Sequence, residues 1–162
     1  MKRILMLGFL LAFSVISHSK TLWQNTQTGM TVSQVERLFP TAIHRKPSPD
    51  TMLGDGSQEL LKIEDYKIGI YYYAASFYFY NGKLKQVTLT LKEGQPVAHA
   101  TEFLVESFRI KYGKEVKSKD DRFVFEKRWL TKDKANIILS VYAGTYLSVI
   151  YHDRDDLDLN KL

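Results

Sequence analysis

The chain has 162 residues, 44% of them apolar and 25% charged, with nine Gly, four Pro and no Cys, and carries a formal net charge of +5. These proportions are those of an ordinary globular chain of about one domain, large enough to bury a core without staples. They exclude collagen, coiled coil and disorder, and the absence of Cys excludes zinc ribbons, redox CxxC sites, disulfides and a lipid anchor on cysteine.

The N-terminus reads as a signal peptide over residues 1–19. Lys2 and Arg3 form a basic n-region, Ile4 to Ile16 is an apolar run, and Ser17-His18-Ser19 sets small residues around a cleavage point before Lys20. The run is too short for a membrane span, which needs roughly 20 apolar residues. Removing it takes the basic residues from 23 to 21 against 18 acidic ones, so the mature chain carries +3. The remaining Lys and Arg interleave with acids, as in Lys117, Lys119, Asp120, Asp121, Glu126, Lys127 and Arg128, which is a solvated mixed surface and not a nucleic-acid stripe. Export to the periplasm is the expected location, with secretion the second choice.

A first unit, residues 20–94, opens with a helix. Thr31 reads as its N-cap with Gln34 three residues on, a capping box, and Met30 and Val35 can form the staple. Val32, Val35, Leu38 and Phe39 share one face, and Pro40 stops the helix. Thr41 to Ser57, with Pro47, Pro49, Gly54 and Gly56, reads as irregular loop. Strand character follows in Leu60–Glu64, Lys67–Tyr73 and Ala75–Tyr80, then Asn81-Gly82 predicts a hairpin with Lys83–Leu91 as its return. Leu84 and Val87 cannot share a face at a period of two, so a bulge is expected near Lys85 and Gln86. With it, Phe77, Phe79, Leu84, Val87, Leu89 and Leu91 face the core, and Ser76, Tyr78, Tyr80, Lys83, Thr88 and Thr90 face outward.

A second unit, residues 95–162, repeats the order. Pro96 to Tyr112 forms an amphipathic helix with Ala100, Leu104, Val105 and Phe108 on its apolar stripe and Gly113 at its C-terminal cap. Three strands follow, Arg122–Leu130, Asn136–Tyr142 and Thr145–Asp153, with Ala143-Gly144 as a turn. Their second face, with Val124, Ile138, Tyr142, Tyr146 and Ile150 among Glu126, Arg128, Ser140 and Ser148, is either covered by the rest of the protein or a partner-binding patch. Asp153, Asp155, Asp156 and Asp158 make an acidic tail without the Gly and Glu of a calcium loop. The fold class expected is therefore α+β, two tandem helix-plus-antiparallel-sheet units with the helices packed on one sheet face.

Two stretches carry a family resemblance. Gly29-Met-Thr-Val-Ser-Gln-Val-Glu-Arg-Leu-Phe-Pro40 resembles the helix opening of outer-membrane assembly lipoproteins of the SmpA/OmlA (BamE) type, and Phe77-Tyr-Phe-Tyr-Asn-Gly-Lys-Leu84 followed by Val87 resembles their hairpin. The repeated order of helix and sheet is similar to the β-lactamase-inhibitor-protein (BLIP-like) fold. The resemblance implies an exported module that binds another protein.

Catalytic patterns are absent from the sequence. His44, His99 and His152 lack metal-ligand spacing, there is no GxSxG elbow, and Gly54-Asp-Gly56 lacks the Lys-Ser/Thr of a phosphate loop. No cofactor or metal is expected. The most unusual feature is Tyr, ten in all, with Tyr66, Tyr71, Tyr72, Tyr73, Tyr78 and Tyr80 within fifteen residues. Such rings either build a β-rich core or concentrate in binding surfaces. The candidate binding residues are Tyr78, Tyr80, Lys83 and Lys85, with Tyr71 and Tyr73 open to either reading, and the two lysines suit an acidic protein surface. The function expected is a non-enzymatic, periplasmic protein-binding module, an inhibitor or immunity protein of a secreted or periplasmic hydrolase. The alternatives are an envelope-assembly or scaffolding protein, an exported hydrolase using the three His, and a small-ligand protein with a Tyr-lined apolar pocket.

Overall fold

The computed structural model describes residues 19–153. The expected signal peptide, except for Ser19, and the acidic tail beyond Asp153 lie outside the described residues. Eight strands form a single antiparallel sheet: β1 (Ile43–His44), β2 (Gln58–Ile68), β3 (Tyr71–Tyr80), β4 (Lys83–Leu91), β5 (Lys117–Asp120), β6 (Val124–Leu130), β7 (Asn136–Tyr142) and β8 (Tyr146–His152). Their order across the sheet is β1-β2-β3-β4-β8-β7-β6-β5. Two α-helices, α1 (Val32–Leu38) and α2 (Val97–Tyr112), complete the framework together with a 3-10 turn at Pro49–Thr51.

This corrects the expectation of two tandem helix-plus-sheet units. The protein is one β-rich fold, because β4 pairs with β8 over five rungs from Gln86↔His152 to Thr90↔Ser148 and so fuses both halves into one sheet. The core is correspondingly continuous, running from Val35, Phe77 and Leu89 through Val149 and Tyr151 to Trp129. Periodicity within a strand cannot reveal this, since it reports which face is buried and not which strand lies alongside.

Local signals explain the elements. Thr31 accepts from the Gln34 backbone N–H while the Gln34 side chain accepts from the Thr31 N–H, which is the capping box. Asn81 and Gly82 both have positive φ, as a two-residue hairpin turn demands. Tyr78 pairs with Gln86 while Phe79 pairs with Leu84, so Lys85 is the extra residue of a bulge. Phe77, Phe79, Leu84, Val87, Leu89 and Leu91 are all buried in consequence.

Other boundaries move. The expected strand Lys67–Tyr73 is split by a turn at Gly69 and Ile70, leaving one long β2 and one long β3. Gly69 has φ +62, and a Cβ there would lie 2.7 Å from the Phe103 ring of α2, so only Gly serves both the turn and the contact. The short edge strands β1 and β5 carry too few residues for a periodic signal. With charged Lys117, Lys119 and Asp120, β5 also discourages further pairing at that edge.

Both helices lie over the same face. Trp23 of the N-terminal segment stacks on Phe39 at the end of α1, with ring centroids 5.4 Å apart, and both rings meet Phe77 of β3. Phe108 of α2 packs edge-on against Trp129 of β6 at 5.2 Å, and Trp129 Nε1 donates to the Gly113 carbonyl. Just beyond α2, Glu115 accepts from Arg109 of the helix at 2.9 Å and from Lys127 of β6 at 2.7 Å. These two cations hold its carboxyl well below the usual carboxylate range.

Phe77→Ala is expected to lower unfolding free energy by roughly 3 to 5 kcal/mol in urea titrations, because the surrounding aromatic cluster cannot collapse into the void. A second expectation concerns acid. The Glu115 carboxyl is depressed in the folded state, so its contribution is present above the unfolded carboxylate pKa of about 4.3 and is lost as pH falls below it. The stability gap between the wild type and Glu115→Gln should stay constant above about pH 5.5 and close as the solution is acidified further.

Candidate functional site: the bare face of the sheet

With both helices on one side, among the described residues no helix or strand covers the other side of the sheet. Cross-strand partners share a face. One rung of the bare face therefore runs Lys62, Ser76, Thr88, Ile150, Ile138, Arg128 and Lys117 from β2 to β5. The next runs Ala74, Thr90, Ser148, Ser140, Glu126 and Lys119. Small hydroxyl-bearing side chains thus share the middle strands with Ile138 and Ile150, and long charged ones stand on the flanks. The result is a trough whose floor spans β3 to β7, three strand intervals or about 14 Å, wide enough for one α-helix or an extended loop.

The flanking charges come mostly in pairs: Lys62 with Glu64 at 3.0 Å, Arg128 with Glu126 at 2.7 Å and Lys119 with Asp121 at 3.2 Å. Tyrosines stand at the trough's ends. Tyr142 is 60% exposed, Tyr146 51% and Tyr80 46%. The Tyr146 hydroxyl reaches Thr90 Oγ1 across the β4–β8 seam at 3.4 Å.

The six candidate residues divide. Tyr80, Lys83 and Lys85 are exposed, and Tyr80 and Lys83 face each other across the hairpin. Tyr78 lies on the same face but is only half exposed. It is register partner to Glu59, and burial pushes its phenol up, with the nearby Glu59 carboxylate adding to the effect. Glu59 is itself buried and paired with Arg45 from the preceding loop, 3.5 Å away. That loop continues to Gly56, where an added Cβ would lie 3.6 Å from the Tyr80 ring. Tyr80, Lys85, Asp55 and Asp153 line a polar cleft of about 350 Å³ at this corner.

Tyr71 and Tyr73 are corrected to the core. Tyr73 has no exposed surface and Tyr71 packs on Phe103 of α2, so neither is available to a partner on the bare face. Strand alternation placed them with Phe77, and their residue type alone suggested otherwise. Conversely, Tyr142 and Tyr146 join the site although the Tyr cluster that drew attention lies elsewhere in the chain. The half-polar second face of β6 to β8 was their signal, and its meaning depended on where the helices pack.

The three His of the hydrolase alternative do not meet. His44 is on edge strand β1 beside Glu36, His99 is in the first turn of α2, and His152 ends β8, four strand intervals or about 19 Å from β1. Among the described residues no three His, Asp or Glu are grouped to hold a metal ion, and no helix is long and apolar enough to cross a membrane. Compared with family models, curated proteins and solved structures, the chain matches none.

Tyr80→Ser, Tyr142→Ser and Tyr146→Ser should each leave thermal stability within about 0.5 kcal/mol of wild type, being surface changes away from packing. Tyr78→Ser should cost measurably more in the same melts, because its ring is half buried against Glu59.

Proposed function

We propose that the chain is an exported, non-enzymatic protein-binding module that receives a segment of another protein in the trough of its bare sheet face. The observation that carries this reading is the pairing of an uncovered floor of Ser76, Thr88, Thr90 and Ser140 around Ile138 and Ile150 with exposed Tyr80, Tyr142 and Tyr146 at its ends. Tyr supplies contact area with few rotors to freeze, and small hydroxyls admit a close backbone while offering donors and acceptors. Among the described residues Lys83 and Lys85 form no ion pair, and they stand beside Tyr80, which favours a partner bearing acidic groups at that corner.

The sharper form of the reading is an inhibitor or immunity protein. A rigid sheet presenting a wide shallow surface suits occlusion of an enzyme's mouth, since its residues are held in register by backbone ladders and lose little freedom on binding. Export rests on the basic n-region and apolar run of the first 19 residues.

The test is capture from periplasmic extract with the mature protein as bait. Wild type should retain a partner that the double variant Tyr142→Ser/Tyr146→Ser loses by about thirtyfold in affinity or more, the loss expected of a central hot spot. Charge reversal at Lys83 and Lys85 should mainly slow association and weaken its salt dependence. A partner held equally well by the Tyr double variant, but released by substitutions on the outer side of α2 such as Ile110→Asp, would place binding on the helical face and overturn the proposal.

A further inference from the structure

On the opposite side of the sheet, beneath the C-terminal half of α2, lies a cavity of about 160 Å³. Leu89, Leu104 and Phe108 form its apolar wall, Trp23 of the N-terminal segment closes one side, and Tyr151 and Lys111 contribute the polar groups. A purely apolar void of this size accepts a single benzene ring. This one differs in having two polar groups in its lining, the phenol of buried Tyr151 and the ammonium of exposed Lys111.

Tyr151 is buried and lines the cavity. Burial pushes its phenol well above the ordinary range, with Tyr112, Tyr73 and Tyr66 adding to the effect, so it is a neutral O–H donor at any physiological pH. The neighbouring Tyr73 hydroxyl is buried without a partner. Lys111 has no carboxylate beside it among the described residues, and its ammonium stands 5.1 Å over the Tyr112 ring at the rim. A hydroxyl buried without a partner, as that of Tyr73 is, is ordinarily matched by an acceptor.

We propose that the cavity is a binding site for a compact monocyclic aromatic carboxylate bearing one further oxygen. The ring lies against Leu89, Leu104 and Phe108, the carboxylate turns to Lys111 at the rim, and the second oxygen accepts from the Tyr151 hydroxyl. Size sets the single ring, the unpaired ammonium sets the anion, and the buried phenol sets the acceptor. The site is separated from the bare face by the whole thickness of the sheet and is independent of the protein-binding proposal.

Isothermal titration of the purified protein with 4-hydroxybenzoate, benzoate and benzene tests it. Saturable 1:1 binding of 4-hydroxybenzoate is expected, tighter than that of benzoate. Tyr151→Phe should remove that preference by weakening 4-hydroxybenzoate about tenfold while leaving benzoate unchanged, and Lys111→Ala should weaken both acids about tenfold while leaving benzene unchanged. Leu104→Phe, which fills the cavity, should abolish binding of all three. Should that variant fail to fold, Ser107→Trp at the exposed rim gives the same reading. Absence of saturable binding of either acid up to about 10 mM, or binding undiminished by the filling variants, overturns the proposal.

Discussion

The pairing of β4 with β8 is the constraint on which the rest of the architecture depends. Each half of the chain makes a meander that leaves one long apolar strand at its edge, and an unpaired strand of this kind exposes a row of backbone donors and acceptors. Joining Val87 to Tyr151 and Leu89 to Val149 satisfies both rows at once and makes the two halves one sheet. Both helices then lie over the same face of that sheet, where they share a single core.

Everything asymmetric about the molecule follows from that arrangement. The covered face takes large side chains such as Phe77, Tyr73, Leu139 and Trp129, fastened to the helical layer by Phe108, Trp23 and Phe39. On the bare face no described helix or strand covers the central strands, and small Ala74, Ser76, Thr88 and Ser140 stand there around Ile138 and Ile150. A face that met water alone could carry Lys and Glu throughout, as β5 does. Hydroxyls flanked by tyrosines instead offer a contact surface that is neither fully wet nor fully apolar, the composition of a recognition surface. The two proposals thus occupy opposite sides of one sheet, the protein partner on the hydroxyl floor and the small acid beneath the helix.

Local physics was legible in the sequence wherever one or two residues decide the outcome. The Thr31 and Gln34 cap, the Asn81-Gly82 turn, the bulge at Lys85 and the cap at Gly113 were each readable because the relevant interaction spans a few positions. Which residues of β3 and β4 face inward followed from alternation. Illegible were the facts that depend on distant neighbours: that β4 and β8 lie side by side, that β1 and β5 exist, and that β2 continues unbroken to Ile68. The candidate site shows the same division. Tyr80, Lys83 and Lys85 were placed outward by the hairpin itself, whereas Tyr71 and Tyr73 stayed open between core and surface because the break expected after Tyr73 hid the alternation they share with Phe77 along β3. Tyr142 and Tyr146 needed knowledge of the helical layer before their exposure had meaning.

A strand at the middle of the sheet, β8, is also the last strand among the described residues. The rungs between β4 and β8 join residues about sixty positions apart, so closing the sheet carries a large loop-entropy cost and gives the fold a high contact order. A chain emerging N-terminus first can complete α1 and the first meander, but β4 keeps a bare edge and its core stays uncapped until residues 146–152 arrive. The sheet therefore closes only after residues 146–152 have been made. Until then the polypeptide remains loose enough to be threaded, and vulnerable at the same edge to pairing with another unfinished copy.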